Sequence, residues 1–116
     1  MVIAGFGCRA GATHESFRSA LAVAGVRPDA LAVPADRAAA IAGFALAEGL
    51  SVRPIPVDSL HGIDTPTRSA ASLAHRGVGS VAEAAALAAA GPGARIIVPR
   101  VTSSDRMATC AIAQGQ

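Results

Sequence analysis

The chain has 116 residues, 52% of them apolar, and a formal net charge of +2. That length suits one domain around one core. The small charge, the absence of any basic run and the presence of only Phe6, Phe17 and Phe44 as aromatics exclude the electrostatic footprint and stacking platforms of a nucleic-acid binder. No apolar run approaches the roughly 18 residues that a membrane span needs. The opening Met1-Val2-Ile3-Ala4 lacks the length and basic flank of a secretory leader, so a cytoplasmic location without membrane attachment is expected.

In chain order, Met1 to Ala4 reads as a short buried strand that gives way to a glycine-rich loop, Gly5-Phe6-Gly7-Cys8-Arg9-Ala10-Gly11. Thr13 is a good N-cap for a helix running to about Ala24, with Glu15 well placed in its first turn and Gly25 as its stop. Phe17, Leu21 and Ala24 share one face. Leu31-Ala32-Val33 is a second strand ending at Pro34. Asp36 is placed to cap a second helix through about Glu48, which Gly49 terminates. A third strand spans Leu50 to Ile55, where Pro54 points to an edge.

Val57 to Pro66 is irregular, and a short helix is predicted from about Pro66 to His75. Ser80, with Glu83 three residues later, reads as a capping box that introduces an alanine-rich helix to Ala90, and Gly91 ends it. Ile96-Ile97-Val98 is a strong strand, Pro99 to Asp105 a loop, and Met107 to Ala113 a last strand antiparallel to the one before. The β-α-β-α-β opening predicts a single domain over residues 1–116, α/β in class. It has three layers, α/β/α, around a mostly parallel five-stranded mixed sheet.

Three segments carry candidate chemistry. Gly5, Gly7 and Gly11 would leave backbone N–H groups uncovered ahead of a helix N-terminus, which favours an anion, and Arg9 adds a planar charged fork. Cys8 sits among them, where a helix N-terminus and Arg9 would lower its pKa. Gly77 and Gly79 precede Ser80 at a second helix start. Arg100, Ser103, Ser104 and Arg106 place hydroxyls and guanidiniums on one loop. Gly5-x-Gly7-x-x-Ala10 also fits a relaxed dinucleotide fingerprint with Asp36 as the ribose acid, but Gly11 and Thr13 delay the helix start that a nicotinamide site requires. Each segment also has a purely structural reading as a turn, a capping box or a solvated hairpin. Cys8 and Cys110 belong to no metal-ligand spacing, and no histidine is spaced to act as a base for Cys8. Neither a metal nor a cofactor is expected.

Together and in this order, the three segments resemble the CobE/CbiG C-terminal family of cobalamin biosynthesis. That family looks like G-x-G-C-R-x-G after the first strand, G-V-G-S-V-A-E-A-A-A-L before a late helix, and a basic, serine-containing loop followed by T-x-A-I-A. Here these are Gly5 to Gly11, Gly77 to Leu87, and Arg100 to Ala113. Family members often carry a second arginine where this chain has Ala10, and a lysine where it has Arg100.

The resemblance implies a role at the corrin-ring stage of vitamin B12 synthesis, with a chain of this length similar to the family's short aerobic-pathway form. It implies a precorrin or corrin tetrapyrrole as ligand, held by Gly5, Gly7, Cys8, Arg9, Gly11, Gly77, Gly79, Ser80, Arg100, Ser103, Ser104 and Arg106, and other pathway enzymes as possible partners. The alternative is a hydrolase-like enzyme acting on the ring-A lactone of a precorrin-5A-type intermediate, for which His61 and Asp64 are the acid/base candidates.

Overall fold

The computed structural model describes residues 1–116. The first strand, β1, spans Val2–Cys8 and is followed by helix α1 (His14–Ala24), β2 (Ala30–Pro34), a 3-10 turn (Ala35–Arg37) and α2 (Ala38–Glu48). After β3 (Ser51–Ile55) come a second 3-10 turn (Val57–Leu60), α3 (Ala70–Arg76), α4 (Val81–Ala90), β4 (Arg95–Thr102) and β5 (Ala108–Gln114). The sheet order is β3-β2-β1-β5-β4. β1, β2 and β3 pair in parallel, whereas β5 is antiparallel to both β1 and β4. Four strands therefore share one direction and β5 alone opposes it, as the sequence predicts for a mostly parallel mixed sheet.

Alternation along β1 decides what covers each face. Ala4 and Phe6 join Leu31, Val33, Cys110 and Ile112 in a core closed by Phe17 and Ala20 of α1 and by Ile41 and Phe44 of α2. Phe6, Phe17 and Phe44 meet with centroids 5.7–6.2 Å apart, two of the contacts edge-on. On the opposite face Ile3, Ala30, Ala32 and Ala113 pack against Ala84, Ala85 and Ala86 of α4, with Leu60 and Val78 closing the rim. The three layers follow from these two sets. No helix is long and apolar enough to cross a membrane.

Four local expectations are corrected. The first strand does not stop at Ala4: Gly5, Phe6, Gly7 and Cys8 continue it and pair with Ala111, Cys110, Thr109 and Ala108. A Cβ on Gly5 would lie 2.0 Å from the Ala82 carbonyl oxygen and 2.7 Å from the Ala86 Cβ, so glycine is what lets α4 lie against the strand. Asp36 caps nothing. It lies in the 3-10 turn, and α2 begins after Arg37 with no side-chain cap. The short helix starts at Ala70 rather than Pro66, with Ser69 as its cap. Finally, β4 runs through Pro99 to Thr102. It can do so because it is an edge strand with register shifts between Ile96 and Val98 and between Val98 and Val101, where the missing proline N–H interrupts no ladder.

Candidate functional site

Beyond the carboxyl ends of β1 and β2 the chain brings its three candidate segments to one end of the sheet, the usual place for ligands in open α/β folds. Cys8 ends β1 opposite Ala108, and the Arg9 N–H donates to the Met107 carbonyl at 2.9 Å, which joins the first segment to the β4–β5 turn. Gly7 faces Val81 at the start of α4, so the Gly77–Ser80 segment lies at the same end.

Not every residue in these segments is free for a ligand. Gly5 and Gly7 lie inside β1 under α4, and a Cβ on Gly79 would come within 2.5 Å of Thr65 Oγ1. Gly77 adopts φ 69° as the C-cap of α3, and Gly11 turns the chain at φ 89°. All five are accounted for by turns and close packing within the chain. With Gly5 and Gly7 in a strand, the dinucleotide turn has no geometry to stand on, and the fingerprint's ribose acid, Asp36, is engaged by Arg76 at 2.7 and 2.8 Å.

The hydroxyl loop is likewise turned inward. Ser103 is buried, donates to Asp105 Oδ1 at 2.6 Å and accepts from the Ala108 N–H at 3.0 Å. Asp105 Oδ2 accepts from Ser16 Oγ at 2.6 Å, and the Ser104 N–H donates to Ser19 Oγ at 2.9 Å. These bonds dock the loop onto the first turns of α1. Arg106 holds φ 61°, an unusual conformation for a residue with a Cβ, and its side chain is exposed.

Ser80 caps α4, its Oγ accepting from the Glu83 N–H at 3.3 Å. The reciprocal half of the predicted capping box is absent. The Glu83 carboxylate is instead fully buried and accepts from the Thr67 N–H and Oγ1, both at 2.9 Å, and from the Arg100 N–H at 2.8 Å. It therefore ties β4 and the 65–69 segment to α4.

His61 and Asp64 are both exposed. Asp64 lines a polar hollow of about 210 Å³ with Thr65, Arg68 and the Gly77–Gly79 backbone, and His61 stands beside Gly77. A larger hollow, about 280 Å³, lies between α1 and α2 near Leu21 and Phe44, away from all three segments.

Cys8 is a free, half-buried thiol whose pKa is raised, chiefly by burial, against the lowering fields of Arg37 and Arg76. The expected activation is thus reversed: burial outweighs the neighbouring cations. Arg37 is the residue that sequence reading missed. Its one signal was position, in the turn that follows the carboxyl end of a parallel strand. Its Nε is shielded from water and has no hydrogen-bond partner. Arg9, Arg37, Arg68 and Arg106 follow the carboxyl ends of β1, β2, β3 and β4, Arg100 lies within β4, and none of the five has a carboxylate within salt-bridge distance.

Fold and site together define a small three-layer α/β domain with several unpaired arginines in the loops beyond its parallel strands. The family described as cobalamin synthesis G C-terminus matches residues 2–113, and the chain belongs to that family. Among solved structures, CobE, a protein from the cobalamin (vitamin B12) biosynthetic pathway, is 30% identical with a TM-score of 0.85, the match covering 100% of this chain and 91% of that one. Cobalamin biosynthesis protein chiG from Agrobacterium tumefaciens str. C58 is 35% identical with a TM-score of 0.77, covering 100% and 99%. A putative cobalamin biosynthesis protein G homolog from Sulfolobus solfataricus shares the fold at 18% identity and a TM-score of 0.75, over 99% of this chain and 37% of that one. A search of curated proteins gave no match. The chain is thereby placed in cobalamin biosynthesis.

Proposed function

We propose that the domain binds a precorrin or corrin intermediate at the carboxyl end of its parallel strands and holds it for other enzymes of the pathway. One observation carries this reading: Arg9, Arg37, Arg68 and Arg106 stand in the turns and loops beyond the carboxyl ends of β1, β2, β3 and β4, and none forms an ion pair with a carboxylate. Precorrins carry many acetate and propionate carboxylates, and guanidinium forks bind carboxylates bidentately. Each charged hydrogen bond contributes about 1.5–3 kcal/mol, so a few give useful affinity without any chemical step. The glycines contribute indirectly, by letting α4 and the turns pack closely against the sheet. The neutral thiol of Cys8 makes a poor nucleophile near pH 7, which agrees with a binding role.

The test is to mix purified protein with a precorrin and follow absorbance and mass. Pigment that co-elutes unchanged, and is lost in the Arg9→Ala/Arg106→Ala double variant, supports the carrier. A mass change or released acetaldehyde would replace it with the hydrolase-like reading, in which His61 and Asp64 are the first residues to mutate. Absence of any tetrapyrrole binding would refute both.

A further inference from the structure

At the carboxyl ends of β1 and β2 one partly buried guanidinium is left without an ion pair. Arg37 leaves β2 and Arg76 ends α3, and both lie close enough to Cys8 for their charges to act on its thiol. Only one carboxylate, Asp36, serves the two guanidiniums. It binds Arg76 through both oxygens, at 2.7 and 2.8 Å, and leaves Arg37 with no acidic partner. The Arg76 side chain is only 18% exposed, and Arg37 is partly buried with its Nε unpartnered. A buried N–H without an acceptor, such as that of Arg37 Nε, costs free energy that a ligand's oxygen would recover. The same place receives the N-terminus of α2, an eleven-residue helix with no side-chain cap and no acidic residue in its first turn. The dipole of that helix adds positive potential where Arg37 already stands. Cys8 supplies no compensating charge, because burial keeps its thiol protonated near neutral pH.

We propose that Arg37, Arg76 and the N-terminus of α2 form a carboxylate-binding subsite over the Cys8 thiol, with Asp36 as the internal carboxylate that a ligand's carboxylate joins or displaces. The inference deepens the tetrapyrrole reading above and assigns one ligand carboxylate to a defined place. It also gives Cys8 a part that requires no nucleophilic chemistry, as the small half-buried floor of the subsite. Arg9 and Arg106 remain for other carboxylates on the rim.

Cys8 makes the subsite measurable without any tetrapyrrole. Iodoacetate and iodoacetamide form the same S–CH2 bond with loss of iodide, but only the first carries a carboxylate. The ratio of their rates cancels the thiol's own pKa and accessibility. Peptide mass mapping assigns the label to Cys8, since Cys110 is buried with its pKa pushed up to about 12.

In the native protein the iodoacetate-to-iodoacetamide ratio is expected to exceed that of a neutral cysteine amide by roughly three- to tenfold. The iodoacetate rate should saturate with concentration, and succinate should protect. Arg37→Ala should return the ratio to the reference, and Asp36→Asn should raise it. A native ratio equal to the reference, unsaturable and untouched by succinate, overturns the subsite, as does a raised ratio unchanged in folded Arg37→Ala. If that variant does not fold, saturation and succinate protection in the unaltered protein decide. Failure here leaves tetrapyrrole binding through Arg9 and Arg106 standing, and failure of tetrapyrrole binding leaves the carboxylate subsite standing.

Discussion

Replacing Gly5 with alanine separates packing from ligand binding in the most glycine-rich segment of the chain. The added methyl would meet the Ala82 carbonyl oxygen at 2.0 Å, the Ala86 nitrogen at 2.6 Å and the Ala86 Cβ at 2.7 Å. Two of these atoms are helix backbone and cannot rotate aside, so α4 must lift from β1 along its whole first half. Overpacking a core costs about 1–3 kcal/mol when side chains can adjust. Here they cannot, and a loss of about 3 kcal/mol or more is expected, a large share of the roughly 5–15 kcal/mol that holds a domain together. At about 4 °C per kcal/mol for a chain of this size, Tm should fall by roughly 12 °C. Urea unfolding followed by circular dichroism reads the loss directly. Gly43→Ala is the control: it sits in the middle of α2 with nothing within 4 Å of the added methyl, and should gain up to about 1 kcal/mol. A Gly5→Ala protein as stable as the parent would refute the account of why glycine stands in this strand.

Glu83→Ala should cost about 3 kcal/mol or more in the same urea assay, because it strands the Thr67 N–H and hydroxyl and the Arg100 N–H without their acceptor. Arg76 holds the Asp36 carboxyl below its ordinary range, so the folded pKa lies under the unfolded one. The pair's contribution is therefore complete above about pH 3.9 and fades as pH falls through the folded value. Exposed as Asp36 is, that acid limb amounts to at most about 1 kcal/mol, and it should vanish from the stability–pH profile of Asp36→Asn. A colorimetric thiol reagent at pH 8 should find Cys8 alone in the native protein and both thiols after denaturation; rapid native labelling of Cys110 would contradict its burial.

Much of this architecture was legible because its signals are local. Thr13 and Gly25 bracket α1, Ser80 and Gly91 bracket α4, and Gly49 closes α2 with φ 69°, each through backbone chemistry confined to a few residues. What escaped was set by partners distant in sequence. Gly5 and Gly7 look like a loop until β5 and α4 are known to flank them, and Pro99 looks like a strand end until β4 is known to be an edge. Glu83 stands at capping-box spacing, yet Thr67 and the Arg100 backbone draw its carboxylate away from the cap. The candidate site was half legible. Arginine-bearing segments could be read in order, but the inward bonding of Ser103 and Asp105, and the convergence of Arg37 and Arg76 on Cys8, depend on which strand ends are neighbours.

The position of β5 has a consequence for how the molecule comes into being. β1 is made before the other four strands, yet the strand that covers one of its edges, from Cys8 opposite Ala108 to Val2 opposite Gln114, is made after all of them. Until then β1 presents an open row of amides and carbonyls, flanked on only one side by β2. Closing such a sequence-distant pair delays its reward until the entropy of ordering the chain between has been met. The nascent β3-β2-β1 half-sheet is consequently the stage at which this protein is most exposed to wrong pairing, and chaperone dependence should concentrate there.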